Sequence, residues 1–242
     1  SKYLYVAIAI IVVLMIFLNL QKSKEILESQ VVESVEEDIG SGFLEVETFP
    51  SNADIYVDSI FQRSPRTGVI WLEQDTGMTP ITLSAALYAA GAGCDAVDWV
   101  MAGEDRQAFC AVRPPGHHAE YDNAMGFCLF NNIAVAARYA LKHYELSRVA
   151  IIDFDVHHGN GTMEIFQDRP EVLVCSSFQY PFYPGRYDDV VRPNICLTPL
   201  KAGSDGVIFR GAVEVQWTRA VREHRPEMIF VSAGFDAHRD DP

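Results

Sequence analysis

The pattern of apolar and polar positions divides the chain into four stretches of different character. Residues 3–20 form a largely apolar run without a charge, and residues 23–42 are polar and acidic. Residues 43–70 alternate apolar and polar positions around a turn-rich SNAD segment. Across residues 71–242, short apolar runs alternate with longer runs of helical character. The sequence therefore predicts four consecutive segments, of which the last is the large folded domain.

The first segment, residues 1–22, is expected to be a transmembrane anchor. A helix from Tyr3 to Leu20 would span roughly 27 Å, close to the thickness of a hydrocarbon core. A signal peptide and a buried core helix are the alternatives. Lys22 and Lys24 follow the run and one lysine precedes it. This small excess of positive charge places the rest of the chain on the cytoplasmic side.

Residues 23–42 are expected to be a linker, and residues 43–70 a β hairpin. FLEVETFP alternates as a half-buried strand does, SNAD is a turn cluster, and IYVDSIF is a second strand. The stretch LEVETFPSNADIYVDS resembles the surface-layer PEGA module, with an ordinary hairpin as the alternative.

The last segment, residues 71–242, predicts an α/β domain. Its predicted strands are AFCAVRP, RVAIIDFD, EVLVCSS and EMIFVSAGFD, and its predicted helices are NNIAVAARYALKHY and DGVIFRGAVEVQWTRAVREHR. Asn131 or Asn132 is the expected cap of the first of these helices. Near-continuous apolar strands separated by helices indicate a parallel sheet covered by helices on both faces.

Charge and cysteine content narrow the possible partners. The chain carries 33 acidic and 19 basic residues, for a net charge of −14. This excess of acid argues against a nucleic-acid surface, which needs a basic footprint. It suits a small cationic substrate or a basic peptide, although a plain acidic surface is the simpler explanation. The 5 cysteines contain no CxxC pair, which favours reduced thiols and a reducing compartment.

Two of the predicted strands end in acidic residues, in IIDFDVHH and FVSAGFDAH. Because ligands collect at the carboxyl ends of parallel strands, these ends are expected to share a site. Asp153, Asp155 and His157 are spaced two apart, so they face the same way if the chain stays extended. Asp155 and His157, joined by Asp236, would supply two carboxylates and one imidazole, which suit a catalytic zinc or iron ion. Helix caps or solvated loop residues are the alternative.

A second cluster follows the rigid turn of Pro114, Pro115 and Gly116 in RPPGHHAEYDNAMGFCLFNN. His117 and His118 come directly after this turn. Hydrolysis of an amide by metal-activated water needs one group to accept a proton and another to donate one. Paired histidines with different partners can divide these two roles.

The motifs RPPGHHAE, GFCLFNN, DFDVHHGNGT and SAGFDAHRDDP resemble the histone deacetylase and acetylpolyamine amidohydrolase superfamily. The class II and bacterial branch is the most similar, because Asn160 stands where other members carry Asp. The resemblance covers residues 71–242 and implies the arginase/deacetylase fold, a parallel sheet flanked by helices.

The resemblance also implies roles for individual residues. The zinc ligands would be Asp155, His157 and Asp236. The catalytic residues would be His117 paired with Asp153, and His118 paired with Asn160. A structural potassium ion would be held by Asp153, Asp155, His157, Ser176 and Ser177. The acyl-chain tunnel and its rim would be formed by Gly126, Phe127, Tyr183 and Asp75.

The implied reaction is the hydrolysis of an acetyl-lysine peptide or an acetylated polyamine to acetate and an amine. Members of the family use a tyrosine in a Gly-Gly-Tyr loop to stabilise the oxyanion, and no Gly-Gly-Tyr occurs in this sequence. Losing one such donor typically costs ~10²–10³ in rate. We therefore expect a partial deacetylase domain, incomplete at both ends.

Two other functions remain open at the level of sequence. The first is a non-catalytic, membrane-tethered module that binds acyl-lysine, suggested by the missing tyrosine loop. The second is a ureohydrolase of the related arginase type, in which FDAHRDD would supply ligands for a second manganese ion. The sequence does not indicate an oligomeric state.

Overall fold

The computed structural model describes residues 44–48, 53–57 and 69–241. The predicted transmembrane segment, residues 1–22, and the predicted linker, residues 23–42, lie outside the described residues and stay predictions. Within the described ranges, no helix has the length and apolar character needed to cross a membrane.

The predicted hairpin region contains two strands. Strand β1 spans Leu44–Thr48 and strand β2 spans Ala53–Val57. They are hydrogen-bonded neighbours in a sheet of their own. The two predicted strands are thus confirmed, and the likeness to the PEGA module stays a prediction.

Residues 69–241 form a layered α/β unit. Its strands are β3 (Ile70–Trp71), β4 (Gly77–Met78), β5 (Val149–Asp153), β6 (Val172–Gln179), β7 (Ile195–Leu200) and β8 (Met228–Ser232). Its helices are α1 (Thr82–Met101), α2 (Asn132–His143), α3 (Asn160–Phe166) and α4 (Gly206–His224). The predicted α/β class and the two predicted helices are confirmed.

The main sheet has four parallel strands in the order β7-β6-β5-β8. Asp153, the last residue of β5, is in register with Ser176 on one side and with Ser232 on the other. The carboxyl ends of β5 and β8 therefore lie side by side, next to Ser176 of β6, where the acidic motifs were expected to assemble.

The core consists of two apolar layers, one on each face of this sheet. On one face, Ile151 and Val174 pack with Phe166 of α3 and with the alanines of α2. On the other face, Leu173 and Cys175 contact Trp217, Ala220 and Val221 of α4. Strands β5 and β6 are buried almost throughout, which explains why they read as continuous apolar runs.

Both predicted helices begin at a side-chain cap. Asn131, one of the two expected caps, accepts a hydrogen bond of 3.1 Å from the amide of Ala134. Asp205 caps α4 by accepting from the amides of Val207 and Ile208, each at 2.9 Å. These bonds satisfy amide groups that have no partner within the helix.

Two sequence-based expectations require correction. AFCAVRP, residues 108–114, is not a strand, because no described strand pairs with it. Phe109 is 80% exposed, so its apolar character does not reflect burial. The sequence analysis also did not identify α1, whose alanine-rich surface includes Gly91 and Gly93. Gly93 lets α1 approach α2 closely, since an added Cβ there would lie 2.9 Å from the Cβ of Ala136.

Candidate active site

Three ligand-type side chains converge where β5 and β8 end. Asp155 and His157 follow β5, and Asp236 follows β8. One ligand atom from each residue lies within 4.8 Å of those of the other two. His157 Nδ1 lies 3.1 Å from Asp155 Oδ1 and 2.9 Å from Asp236 Oδ2. The fold therefore brings together the three residues that the sequence grouped.

Backbone amides orient the two carboxylates of this cluster. The amide of Val156 donates to Asp236 Oδ1 at 3.0 Å. The amide of His157 donates to Asp155 Oδ1 at 2.8 Å. The bend after β5 therefore positions Asp155 and also holds Asp236, which arrives from another strand.

The donor set fits a divalent cation. Burial raises the pKa of Asp236, and the negative charge of Asp155 raises it further. Burial opposes ionisation of Asp155, but its hydrogen bonds with His157 hold its pKa below the usual range. A cation among these atoms would relieve the repulsion between the carboxylates. Carboxylate oxygens and an imidazole nitrogen are ligands that zinc and iron accept.

His117 is buried beside this cluster and paired with an acid. Its Nδ1 lies 2.9 Å from Asp153 Oδ2, and its Nε2 lies 3.9 Å from Asp155 Oδ2. Burial acts to lower the pKa of His117, but the charge and hydrogen bond of Asp153 outweigh burial and raise it to about 9. The pairing with Asp153 therefore favours the protonated form of His117.

His118 has a neutral partner and the opposite charge state. Its Nδ1 lies 2.8 Å from Asn160 Oδ1, and its ring centroid lies 4.0 Å from that of His117. Burial, together with the charge of His117, lowers the pKa of His118 to about 3. The pKa values of the two adjacent imidazoles are thus shifted in opposite directions, and only His117 is hydrogen-bonded to a carboxylate.

The side chains of Phe127, Phe182 and Tyr183 form an aromatic rim beside the histidines. The ring of Tyr183 meets His118 edge-on at a centroid distance of 5.1 Å and meets His157 edge-on at 5.8 Å. Phe182 stacks on His157 at 5.1 Å. Phe127 is 63% exposed, so its ring is available to a ligand.

Asp75 connects two parts of this aromatic rim. Its Oδ1 accepts from the amide of Gly126 at 3.1 Å, and its Oδ2 accepts from the hydroxyl of Tyr183 at 3.1 Å. The neighbouring Thr76 hydroxyl donates to Asp75 Oδ1 at 2.8 Å and accepts from the amide of Phe127 at 3.0 Å. Burial opposes ionisation of Asp75, but these hydrogen bonds lower its pKa. Asp75 thus has internal partners in addition to its expected position at the rim.

The residues expected around potassium are adjacent in the sheet. Asp153 and Ser176 are register partners, and the hydroxyl of Ser177 donates to the backbone oxygen of Asp153 at 3.5 Å. Ser176 Oγ also lies 3.1 Å from Nδ1 of the buried His158. The potassium site stays a prediction.

The sequence analysis missed several residues that contact the site. They are Thr76, Glu120, His158, Phe182 and Arg186. Glu120 lies in the RPPGHHAE motif but received no role. Its buried carboxylate accepts from Asn160 Nδ2 at 2.7 Å. The available signal was an acidic residue two positions after the histidine pair.

A parallel α/β sheet with this Asp-His-Asp cluster and a histidine pair defines a class of metal-dependent amidohydrolases. The family model described as the histone deacetylase domain matches residues 26–242. The chain belongs to this family, which confirms the resemblance seen in the sequence. The family is zinc-dependent. The match begins within the stretch assigned to the linker, so it also covers the predicted hairpin.

One related protein and two solved structures are also similar to this chain. The chain is 39% identical over 228 residues to histone deacetylase 10, chloroplastic, of Oryza sativa subsp. japonica, covering 84% of this chain and 52% of the rice protein. The crystal structure of the HDA15 HD domain has a TM-score of 0.67 at 37% identity, covering 72% of this chain and 52% of that one. The structure of acetylpolyamine aminohydrolase from Burkholderia pseudomallei has a TM-score of 0.65 at 36% identity, covering 70% of this chain and 51% of that one.

The chain spans about half the length of these relatives. Membership of the histone deacetylase family also argues against the ureohydrolase alternative. His238 and Asp240 of FDAHRDD, which would have served a second metal, have exposed side chains. Within residues 69–241, the one candidate metal cluster is that of Asp155, His157 and Asp236.

Proposed function

We propose that this chain hydrolyses an acyl amide, of the acetyl-lysine or acetylpolyamine type, to acetate and an amine in a metal-dependent reaction. The observation that carries the proposal is the adjacent pair His117 and His118. His117 is paired with a carboxylate and His118 with an amide, and both imidazoles lie beside three side chains that fit a cation. This arrangement offers a proton donor, a proton acceptor and a metal site within one small volume.

Asp155, His157 and Asp236 would hold zinc, with ferrous iron as the alternative because both ions accept this ligand set. When bound, the cation supplies Lewis-acid polarisation of the acyl carbonyl and of water.

The two histidines divide the proton transfers. His118 is neutral, and its Nδ1 is engaged by Asn160, so Nε2 is the position that accepts a proton from the attacking water. His117 is protonated, and its Nε2 points toward the metal ligands. It stabilises negative charge that develops on the acyl oxygen and can protonate the departing amine. Positioned acids and bases of this kind contribute about 10²–10⁴ in rate.

The rim supports an unbranched, cationic substrate. Phe127, Phe182 and Tyr183 offer aromatic surfaces that suit an aliphatic chain such as that of lysine or a polyamine. Asp75 adds a carboxylate at this rim, and the chain as a whole carries a net charge of −14. Negative potential favours approach of a protonated amine. The name of the Burkholderia relative adds support for a polyamine.

The test is an amine-release assay on the full chain loaded with zinc. Substrates are an acetyl-lysine peptide and a mono-acetylated diamine, and the blank is the chelator-treated protein. We expect zinc-dependent release, and a loss of about 10²-fold or more in His118→Gln. The matched control is His143→Gln, at an exposed position of α2, which should keep its activity. Release no faster than in the blank for either substrate would reject the proposal.

A binding module without turnover is the second candidate. It would need only the aromatic surfaces of Phe127, Phe182 and Tyr183 and the cation site, without the proton transfers. It predicts that acetyl-lysine peptides or hydroxamates bind the zinc-loaded chain while no amine is released. Measured hydrolysis would eliminate this candidate, and neither binding nor hydrolysis would eliminate both.

Attachment to a membrane through residues 1–22, with the catalytic part in the cytoplasm, is also part of the proposal. Its support is the apolar run of the sequence.

A further inference from the structure

We propose that Glu120 is a positioning residue that fixes the tautomer of His118 through the amide of Asn160. This inference rests on the proposed function, since the orientation of His118 matters for proton transfer.

Glu120 contacts the nitrogen of the Asn160 amide, whose oxygen faces His118. Its side chain is 3% exposed, and Asn160 is fully buried. Glu120 Oε1 accepts from Asn160 Nδ2 at 2.7 Å, and Oε2 lies 3.0 Å from Arg186 Nη2. A buried carboxylate requires a compensating positive charge, which the guanidinium of Arg186 supplies. Each oxygen of Glu120 therefore has a specific donor.

The direction of these hydrogen bonds follows from the chemistry of the groups. An ionised carboxylate can only accept, so Asn160 must present its NH₂ group to Glu120. The amide oxygen of Asn160 must then face His118, where it lies 2.8 Å from Nδ1. Because that oxygen only accepts, Nδ1 of His118 must carry the hydrogen. The second Nδ2 hydrogen has a further acceptor in the backbone oxygen of His118 at 3.3 Å.

The tautomer decides what His118 can do. With the hydrogen on Nδ1, the neutral ring keeps its lone pair on Nε2, where it can accept a proton. With the hydrogen on Nε2, the same ring at the same place would be a donor. Glu120 therefore acts on the reaction without contact to substrate or metal.

The same geometry explains why an amide and not an acid stands at position 160. A carboxylate in place of the Asn160 amide would set one carboxylate oxygen against another at about the 2.7 Å that now separates Glu120 from Asn160. Two carboxylates so close cannot both ionise. Asn160 and Glu120 are thus a chemically matched pair.

Glu120→Gln gives a sharp test because Arg186 forces the new amide to take one orientation. The guanidinium donates, so the introduced glutamine must turn its oxygen to Arg186 and its NH₂ group to Asn160. Asn160 then has to flip, present NH₂ to His118 and shift the hydrogen of His118 to Nε2. Removing the guanidinium in Glu120→Gln/Arg186→Gln releases that constraint, and the original tautomer regains population. Arg186→Gln alone retains the carboxylate acceptor and should retain the Nδ1–H form.

The experiment is ¹⁵N NMR of the histidine side chains in the zinc-loaded full chain, with His118 assigned by its loss in His118→Gln. We expect the Nδ1–H form in the wild type and in Arg186→Gln, the Nε2–H form in Glu120→Gln, and a return toward Nδ1–H in the double variant. A wild-type His118 with hydrogen on Nε2 overturns the inference, even if the variants do not fold. An unchanged tautomer in folded Glu120→Gln also overturns it.

Kinetics separate this inference from the proposed function. If both hold, Glu120→Gln lowers kcat by about 10–100-fold, the usual effect of a residue behind a catalytic group, with little change in KM. A wild type that shows the expected tautomer but no turnover refutes the function and leaves the inference standing. Turnover in a wild type whose His118 carries its hydrogen on Nε2 refutes the inference and leaves the proposed function standing.

Discussion

The hydroxyl of Tyr183 donates a 3.1 Å hydrogen bond to the carboxylate of Asp75, although the two residues are 108 positions apart in the chain. The same carboxylate holds the amide of Gly126. Asp75 therefore joins the two sides of the aromatic rim. Asp75 thus acts as a tether between the two sides of the rim, and this role does not depend on contact with substrate.

Asp75→Asn should loosen this tether, because an NH₂ group cannot accept from an amide or a hydroxyl. Losing one or two such bonds costs about 1 kcal/mol each. We expect KM for an acetyl-lysine peptide to rise about 3–10-fold, with a smaller change in kcat. Amide exchange at Gly126 should also accelerate. The control is Glu73→Gln, at an exposed position nearby. Equal KM values and equal exchange rates in Asp75→Asn and wild type would contradict the tether.

Zinc binding should depend on the carboxylate that arrives from β8. We expect the wild type to bind about one zinc ion per chain, as a three-ligand catalytic site does. Asp236→Asn should abolish stoichiometric binding, because it removes one of the two charges at the site. Metal content after dialysis measures this. Asp240→Asn is the matched control, since Asp240 is exposed and four residues further along the chain. Unchanged zinc content in Asp236→Asn would reject the ligand assignment.

Gly126 should tolerate no side chain. Its φ is +57°, and an added Cβ would collide with the ring of His118. Gly185 has a similar φ of +67°, but its nearest neighbour would be 3.8 Å away. Both alanine variants incur the strain of a left-handed backbone, about 1 kcal/mol. Gly126→Ala should in addition displace His118 and lose activity, which a comparison of melting temperatures and kcat can show. Similar behaviour of the two variants would contradict the close approach.

Because His158 is buried in its neutral form, we expect the free energy of unfolding to decrease as the pH falls below about 6.5. Burial lowers the pKa of His158 to about 4, from about 6.5 in the unfolded chain. The folded state therefore resists protonation, so this contribution is complete above pH 6.5 and is lost as the pH falls toward 4. The loss is roughly 3 kcal/mol at most. Urea unfolding of chelator-treated protein at pH 7.5 and pH 5 should show a larger decrease for wild type than for His158→Gln. Parallel decreases in the two proteins would refute a neutral buried His158.

The sheet and the metal cluster were predictable because each depends on local pattern. β5 and β6 are buried on both faces, so their sequences are largely apolar, and the acidic residue that follows β5 stands out. Asp155 and Asp236 could be grouped because parallel strands end at one edge. AFCAVRP shows the limit of this reasoning, since an apolar run does not reveal whether a neighbouring strand exists. The alanine-rich helix α1 was overlooked because its apolar face is made of small residues.

The hydrogen bonds that orient the side chains of the site could not be predicted from the sequence. Glu120 meets Arg186, and Asp75 meets Tyr183, across long separations in sequence. No periodicity encodes such pairs, because they depend on how the loops above the sheet are placed. The sequence therefore located the reacting groups, and the structure shows what holds them in place.

The position of β8 makes assembly of the site conditional on folding. In the described sheet, β8 is hydrogen-bonded only to β5, whereas β5 lies between two strands. Asp236 follows β8, and its two partners, Asp155 and His157, follow β5. A chain in which β8 has not docked on β5 therefore has no complete cluster, so cation occupancy reports native folding directly. By mass action, a cation that binds all three side chains also shifts the population toward chains with β8 in place.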